Sequence, residues 1–447
     1  MIASHRRAAS TLLLAASLVA LPRLHAQSLS LGDAARRAAQ NSATVAVATL
    51  RAEQADARVT QRRAELLPLI TGGVTQADRN FNTATLGLEF QLPGSARPLF
   101  DPRGEVIGPV PTVDLRARVQ QSLFDPSAWA RLKAARAVAS VADAETGAVA
   151  DGAATAAAMA YLRVLRAEAS LGARAADSSL AAELERMARD QLTAGVGIAL
   201  DVTRAQAQVA GVHAQLIAAR ADRDRAHIEL RRTLALSPDA PLVMTDSLET
   251  HVTDAMPSPE AATTQAVRGR SDLQLLDAQH TATEQQRRAT RAERLPSLGL
   301  VADRGVIGKD FTRLLSTWTW GVQLSVPAFD GFRREGRLAE QALQAKELDV
   351  RARDLREQIA ADVRVALLDL TAAREQTLAA RERVRLAEQE VAQARDRFTG
   401  GVAGNGDVVT ASLALTTSRT QLIDALTQFQ IARVAFARAE GSVTRLP

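Results

Sequence analysis

The segment ARDQLTAGVGIALDV, residues 188–202, returns later in the chain as ARDRFTGGVAGNGDV, residues 394–408. Arg, Asp, Thr, Gly and Val recur in register, and both copies end in Asp-Val. Two further motifs recur upstream in the same order: AELLP at 64–68 returns as AERLP at 292–296, and LFD at 123–125 returns as AFD at 328–330. The fold is therefore expected to contain a duplicated supersecondary unit.

The N-terminus has the pattern of a secretory signal peptide. Arg6 and Arg7 precede an apolar run over 11–21, and cleavage is expected after Ala26, so residues 1–26 are predicted to be removed on export. The run is shorter than the about 20 residues that a membrane-spanning helix needs, and no later segment is expected to span a membrane as a helix. The absence of cysteine excludes disulfides and a lipid-anchored N-terminal Cys.

The composition favours long, closely packed helices over a thick globular core. Aromatic residues make up 3% of the chain, and alanine dominates the hydrophobic 47%. Alanine has the highest helix propensity and lets helix axes approach closely. The formal net charge is +5, but Arg, Asp and Glu alternate along helical faces, so no nucleic-acid partner is expected.

Helical patterns alternate with short β patterns along the chain. Helices are predicted over 29–65, 127–192, 200–236, 259–294, 332–398 and 407–441, the first capped by Ser30 with Asp33 three residues later. The longest predicted helix in the second half carries a seven-residue seam: Leu338, Ala345, Ala352, Ile359, Ala366, Ala373, Ala380, Ala387 and Ala394. The equivalent register in the first half runs from Leu132 to Ala188. A strict seven-residue repeat predicts helices that supercoil against a neighbour.

Four strands are predicted, over 68–92, 112–123, from Leu298 onward, and over 318–326, with loops at 93–111 and 305–315. Their alternation of apolar and polar residues fits either a soluble half-buried sheet or a membrane barrel with a wet lumen. The signal peptide and the pair Trp318 and Trp320 near a strand end favour the barrel and its aromatic belt. Four strands cannot close a barrel, so oligomerisation is required, and three protomers would supply twelve strands.

The order of these motifs resembles the TolC-like outer-membrane efflux protein family. The helix ends at Leu67-Pro68 and Leu295-Pro296, the strand-to-helix junctions at Leu123-Phe124-Asp125-Pro126 and Phe329-Asp330-Gly331, and the tips at 192–202 and 398–408 all match family motifs. The resemblance covers about 27–441. It implies a mainly α fold with a β-barrel contribution, in which a trimeric helical tunnel continues a 12-stranded membrane barrel with four strands per protomer.

The resemblance also implies the domains and the function. It divides the chain into a signal peptide (1–26), a first repeat (27–236), a linker or equatorial segment (237–259), a second repeat (260–441) and a C-terminal tail (442–447). The protein would be a passive outer-membrane exit channel that extends into the periplasm. Its expected partners are two further copies, a periplasmic adaptor, an inner-membrane transporter and outer-membrane lipid. The transported substrate is not specified by the sequence.

Site residues follow from the same resemblance. Asp407 matches the position that places one aspartate per protomer at the narrow end, and Asp201 matches an acidic position that bonds across to the gate in some members. Gly195, Val196, Gly401 and Val402 would form the turns that an adaptor contacts. The simpler interpretation is that these glycines end helices and that both aspartates stabilise helix N-termini.

The chain departs from the better-known gate pattern at three positions. Ala403 replaces an Arg, Thr410 replaces a second Asp, and Phe398 lacks the hydroxyl of a Tyr. The hypothesis is therefore a looser closure in which Asn405 and Thr410 line the entrance.

Other classes of function are less well supported. The four histidines downstream of the signal peptide show no metal-binding spacing, and nucleophile and phosphate-loop motifs are absent, so no catalysis, cofactor or metal is expected. The main alternative is a soluble periplasmic coiled-coil adaptor, which would carry one helical hairpin flanked by compact β modules. An amphipathic lipid-surface protein is disfavoured by the long alanine seams.

Overall fold

The computed structural model describes residues 27–86, 104–402 and 404–447. The first half contains β1 (Gln27–Leu29), α1 (Leu31–Asn41), α2 (Ala43–Ala64), β2 (Leu69–Asn82), β3 (Val106–Phe124), α3 (Pro126–Thr193) and α4 (Ala199–Thr233). After β4 (Leu242–Met244), the second half contains α5 (Pro259–Gly269), α6 (Ser271–Ala292), β5 (Ser297–Gly308), β6 (Leu315–Ser325), α7 (Arg333–Thr399) and α8 (Asn405–Glu440). The predicted signal peptide and Ala403 lie outside the described residues.

Each half therefore repeats the order two helices, two strands, long helix, shorter helix. The long helices α3 and α7 contain 68 and 67 residues. At a rise of 1.5 Å per residue, each is about 100 Å long.

The first helix of each half is broken in two, which corrects the single helices predicted over 29–65 and 259–294. Ser42 takes an extended backbone, and its Oγ accepts the Val45 N–H at 3.4 Å, so it caps α2. Arg270 is likewise extended between α5 and α6. The predicted capping box of Ser30 and Asp33 is present at the start of α1.

The strands also differ from their predicted bounds. β3 begins at Val106, so the predicted loop over 93–111 is wrong in its last six residues. β2 ends at Asn82, and a short 3₁₀ turn follows over Thr83–Leu86. The predicted continuation through Leu88, Phe90 and Leu92 lies outside the described residues.

The long strands form one antiparallel sheet in the order β2-β3-β5-β6. The two halves of the chain meet at its centre, where β3 pairs with β5. Among the described strands, β2 and β6 each have one neighbour and are the edges of the sheet.

The helices continue this arrangement as a single layer. On the sheet side, α2 packs on α3, α3 on α6, and α6 on α7; on the far side, α4 packs on α3, α3 on α8, and α8 on α7. We call α3 with α4 the first hairpin and α7 with α8 the second hairpin. The predicted α7 seam lies inside this layer, because none of its nine residues is exposed.

The linker lies at the middle of the helical layer. β4 pairs in parallel with β1, and the buried Leu248 and Val252 pack in the same core as α3 and α8. Tyr161 of α3 donates its hydroxyl to the Leu29 carbonyl at 2.9 Å and lies 3.1 Å from an Asp246 carboxylate oxygen. The last residues dock on α1, where Gly32 N–H donates to the Pro447 carbonyl at 3.1 Å.

One described helix, α3, contains a stretch long and apolar enough by length and composition to cross a membrane, and half of that stretch is buried inside the protein. From the sequence, no helix after the signal peptide was predicted to be apolar enough to span a membrane, so this stretch of α3 was missed. A core helix passes the same test, and α3 packs against α1, α2, α4, α6 and α8.

Candidate functional site

One face of the sheet is mainly apolar, although Arg304 lies on it opposite Trp318, and the other face is polar. The apolar face carries Trp318 and Trp320 on β6, which are 68% and 66% exposed, and Ile70 and Val74 on β2, which are 70% and 67% exposed. The cross-strand register places Ala302 opposite Trp320 on this face. Large apolar side chains exposed in a continuous patch mark a surface that another apolar phase covers.

The opposite face carries the paired charges. Arg116 of β3 forms ion pairs with Asp114 and Asp303, and its Nη2 donates to Thr317 Oγ1 at 3.1 Å. Because alternate residues of a strand point to opposite faces, these groups lie away from the tryptophans. One apolar and one charged face is the pattern of a barrel strand with lipid outside and water inside.

The far end of the helical layer consists of two turns, which we call the tips: 191–202 between α3 and α4, and 397–408 between α7 and α8. In the first tip, Val196 N–H donates to the Gln191 carbonyl at 3.0 Å, and Gly195 N–H donates to the Leu192 carbonyl at 3.1 Å. This is a Schellman motif, with Gly195 at φ +78.

The second tip repeats the motif. Val402 N–H donates to the Arg397 carbonyl at 2.9 Å, Gly401 N–H donates to the Phe398 carbonyl at 3.1 Å, and Gly401 has φ +69. The residue after each glycine points outward, since Val196 is 78% and Val402 is 75% exposed. The glycines thus end the helices and present an apolar side chain at each tip.

Contacts across the tips join the two hairpins. Asn405 is fully buried, and its Nδ2 donates to the Asp201 carbonyl at 3.0 Å. Gln191 Nε2 donates to the Phe398 carbonyl at 3.0 Å. The buried Leu184, Phe398 and Val408 pack in one cluster. The hypothesis that Asn405 lines the entrance expects an exposed side chain, whereas in this protomer the side chain lies between the hairpins.

Of the other predicted site residues, Asp201 and Asp407 lie in the first turns of α4 and α8, and Thr410 lies in the second turn of α8. Asp407 and Thr410 are exposed, and Thr410 Oγ1 donates to the Gly406 carbonyl at 2.9 Å. The Asp201 carboxylate lies 3.9 Å from Arg204 of its own helix, so it is the backbone of Asp201, and not its carboxylate, that bonds across the tips here.

Sequence reasoning missed two groups at this end. Gln191 was not singled out, although it links the hairpins, and Phe398 was noted only for its missing hydroxyl. The apolar pattern of α7 could have indicated the burial of Phe398, whereas nothing local in the sequence indicates that Gln191 reaches a carbonyl of the other hairpin. Among the described residues, no group of three or more His, Asp or Glu is placed to hold a metal ion.

A sheet with a mainly apolar outer face, continued by a helical layer whose two longest helices are each about 100 Å long, is the architecture of a membrane-anchored helical protein. The sequence matches the model of the family described as Outer membrane efflux protein over residues 34–236 and 263–442. The chain belongs to this family.

Solved channels share the fold. VceC, an outer-membrane protein of Vibrio cholerae, is 20% identical with a TM-score of 0.72, and the match covers 92% of this chain and 96% of that one. The MtrE channel of Neisseria gonorrhoeae in its open state is 16% identical with a TM-score of 0.72 over 92% and 88% of the two chains. The CmeC channel of Campylobacter jejuni is 16% identical with a TM-score of 0.71 over 92% and 85%. A search of the curated proteins gives no match.

As a member of this family, the protein is an outer-membrane exit channel of an efflux system that extends into the periplasm. The resemblance to TolC-like channels, the duplicated fold and the outer-membrane location are confirmed. The alternative of a soluble adaptor does not hold, because the family is one of outer-membrane channels. The Outer membrane efflux protein family is a transport family and not an enzyme family.

Proposed function

We propose that three copies of this chain close into one passive duct, which takes substrate from an inner-membrane transporter through a periplasmic adaptor and releases it outside the cell. No catalytic step is needed for this role. The observation that carries the proposal is that, within the described part of the chain, the sheet and the helical layer are both open at their two edges. The first repeat provides one edge, with β2, α2 and α4, and the second provides the other, with β6 and α7.

Open sheet edges leave rows of unpaired backbone N–H and C=O groups, which cannot face lipid. Four strands per protomer are too few to close on themselves, because small membrane barrels start at about eight strands. Three copies that pair β6 of one with β2 of the next would form a closed barrel of twelve strands.

The edge helices carry the apolar surface that such closure would bury. Leu50 of α2, Ile217 of α4, and Leu343 and Leu368 of α7 are each more than half exposed in the protomer. Burying each large aliphatic side chain contributes about 1.5–3 kcal/mol. Contacts of α7 with α2 and α4 of the neighbouring copy would cover these residues.

The entrance is proposed at the tips. In a trimer, Asp407 would supply one carboxylate per protomer to a ring, with Thr410 one turn further along α8. Both side chains are exposed in the protomer, which supports the proposal. Asp201 would support the tip through its backbone carbonyl. Asn405 would position α8 from behind and would not line the pore.

The adaptor is proposed to contact the tips through the exposed Val196 and Val402, with Gly195 and Gly401 setting the direction of the turns. Trp318 and Trp320 would lie at the membrane interface, where indole rings prefer to sit. The linker over 237–259 would form part of an equatorial belt between the first repeat (27–236) and the second repeat (260–441). The tail over 442–447 docks on α1 and would complete that belt.

Ion selectivity in a planar bilayer tests the proposed entrance. Asp407→Ala is expected to reduce the preference for cations, because a ring of carboxylates attracts them and repels anions. Asp424→Ala is the matched control: it removes an exposed aspartate from the same helix, far from the tip. An unchanged cation preference in Asp407→Ala would remove the carboxylate ring from the account.

A further inference from the structure

A buried ion cluster joins the two hairpins between the tips and the linker. Asp177 of α3 has a side chain only 3% exposed. One of its carboxylate oxygens lies 3.2 Å from Arg174 of the same helix, and the other lies 3.0 Å from Arg419 of α8. Arg174 also donates to Thr420 Oγ1 of α8 at 2.9 Å. Two basic side chains, one from each hairpin, therefore share one buried carboxylate.

The other described ion pairs between the first and the second hairpin are more exposed to solvent. Arg166 and Asp424 are 56% and 50% exposed, and Arg395 and Glu183 are 33% and 44% exposed. Ion pairs in contact with water contribute little, because solvent screens them. Among the described ion pairs between the two hairpins, the Asp177 cluster thus has the least exposed carboxylate, and its removal would leave a buried charge with fewer partners.

Each half of the cluster has a second partner within its own hairpin. Arg419 lies 3.5 Å from Glu388 of α7, and α7 and α8 form the second hairpin. Asp177 keeps Arg174 on α3, which belongs to the first hairpin. If the hairpins part, neither charge is left without an opposite charge, so the costly state of an unpaired buried ion is avoided. The cluster can therefore exist in a joined and a parted arrangement.

The cluster is also well placed to act on the tips. Asp177 lies 16 residues before the end of α3 at Thr193, which is about 24 Å along the helix axis. Below it, the polar links between the hairpins include the bonds of Gln191 and Asn405 to backbone carbonyls. Parting of the hairpins at Asp177 would be transmitted along two stiff helices to the entrance.

We propose that Asp177, Arg419 and Glu388 form a two-position charge clamp that sets how far the entrance opens. In the closed position Arg419 of the second hairpin pairs with Asp177 of the first hairpin. In the open position Arg419 pairs with Glu388 alone, and Asp177 pairs with Arg174. The inference rests on the proposal that the tips form the entrance, and it assigns Asp177 a positioning role.

Two substitutions with opposite expected effects test the clamp. Asp177→Asn removes the pair between the hairpins and favours the open position. Glu388→Gln removes the partner that holds Arg419 when open and favours the closed position. If these charges only stabilised the fold, both variants would loosen the packing of the hairpins and speed exchange of the tip amides. Asp424→Asn is the control, because it breaks an exposed pair between the hairpins.

The readouts are hydrogen exchange of the tip amides, measured by mass spectrometry on the full chain in detergent, and open probability in a planar bilayer. Asp177→Asn is expected to speed exchange at 191–202 and 397–408 by about tenfold or more, which corresponds to about 1.4 kcal/mol, and to raise open probability. Glu388→Gln is expected to slow exchange and lower open probability, and the control should match the parent.

The clamp would be overturned if Asp177→Asn and Glu388→Gln changed tip exchange and open probability in the same direction. It would also be overturned if the tip amides of Asp177→Asn exchanged at the rate of the parent. If Asp177→Asn does not fold, Arg419→Gln removes the same pair between the hairpins and carries the same expectation. A parent protein without conductance would refute the proposed entrance instead, and the exchange comparison would still decide whether the charges hold the hairpins together.

Discussion

Two adjacent glycines of the second tip are expected to respond to alanine in opposite directions. Gly401 has φ +69 and nothing within 4 Å of an added Cβ, so Gly401→Ala introduces backbone strain and no clash. The left-handed conformation costs an L residue about 1–2 kcal/mol, and reduced freedom of the unfolded chain returns about 0.4–1 kcal/mol. The expected net loss of tip stability is about 1 kcal/mol.

Gly400 is the matched control, because it is one residue away and has φ −76 and ψ 0. The first tip already has Ala194 at the equivalent position, with φ −75 and ψ −3. Gly400→Ala is therefore expected to stabilise the end of α7 by up to about 1 kcal/mol, since alanine favours the helical backbone. Its Cβ would approach the Asp396 carbonyl to 3.3 Å, which reduces the gain.

Hydrogen exchange of the amides at 397–408 measures this difference. Gly401→Ala should accelerate exchange about three- to tenfold, because a loss of 1.4 kcal/mol corresponds to a factor of ten. Gly400→Ala should leave exchange equal to that of the parent or slower. If both variants accelerated exchange equally, the assignment of the left-handed turn to Gly401 would be refuted.

Three further predictions concern the linker region and its neighbours. Ala235 has φ +52 in a Schellman turn, so Ala235→Gly is expected to raise the thermal midpoint by relieving up to about 1 kcal/mol of strain, and a lower midpoint would contradict this. Tyr161→Phe removes the hydroxyl beside Asp246 and should lower stability by about 1–3 kcal/mol in denaturant unfolding, whereas unchanged stability would show that this bond is dispensable. The hydrogen bond from Arg36 holds the pKa of Asp33 below its usual range, so the stabilisation from this carboxylate is present above about pH 4 and is lost as the pH falls through its lowered pKa. Thermal melts of Asp33→Asn and the parent should therefore converge in acid, and a constant difference would refute the assignment.

The features that the sequence predicted are those with a strong local pattern. The seven-residue seam of α7 places Ala352, Ile359 and Ala366 on one buried face, because the period alone determines which side chains share a helix face. The tip glycines could be recognised because a left-handed turn after a helix requires Gly, and both copies of the motif supply it.

The features that were missed depend on distant partners. The break at Ser42 has no Gly or Pro, so the helical pattern continues through it. At the second break Gly269 directly precedes Arg270, but one Gly inside a helical pattern does not by itself end a helix. The burial of Asn405 depends on a carbonyl of α4, and the Asp177 cluster depends on residues of α7 and α8. Periodicity reports which face of an element is buried, but it does not report which polar group of another element meets that face.

The proposed duct closes only when several copies join, since the described sheet and helical layer of one chain have open edges. The most direct measurement is the mass of the detergent-purified protein by light scattering, combined with conductance of the same sample in a planar bilayer. The account predicts a particle of three protomers that gives discrete conductance steps. A stable monomer or dimer, or a trimer that never conducts, would contradict it.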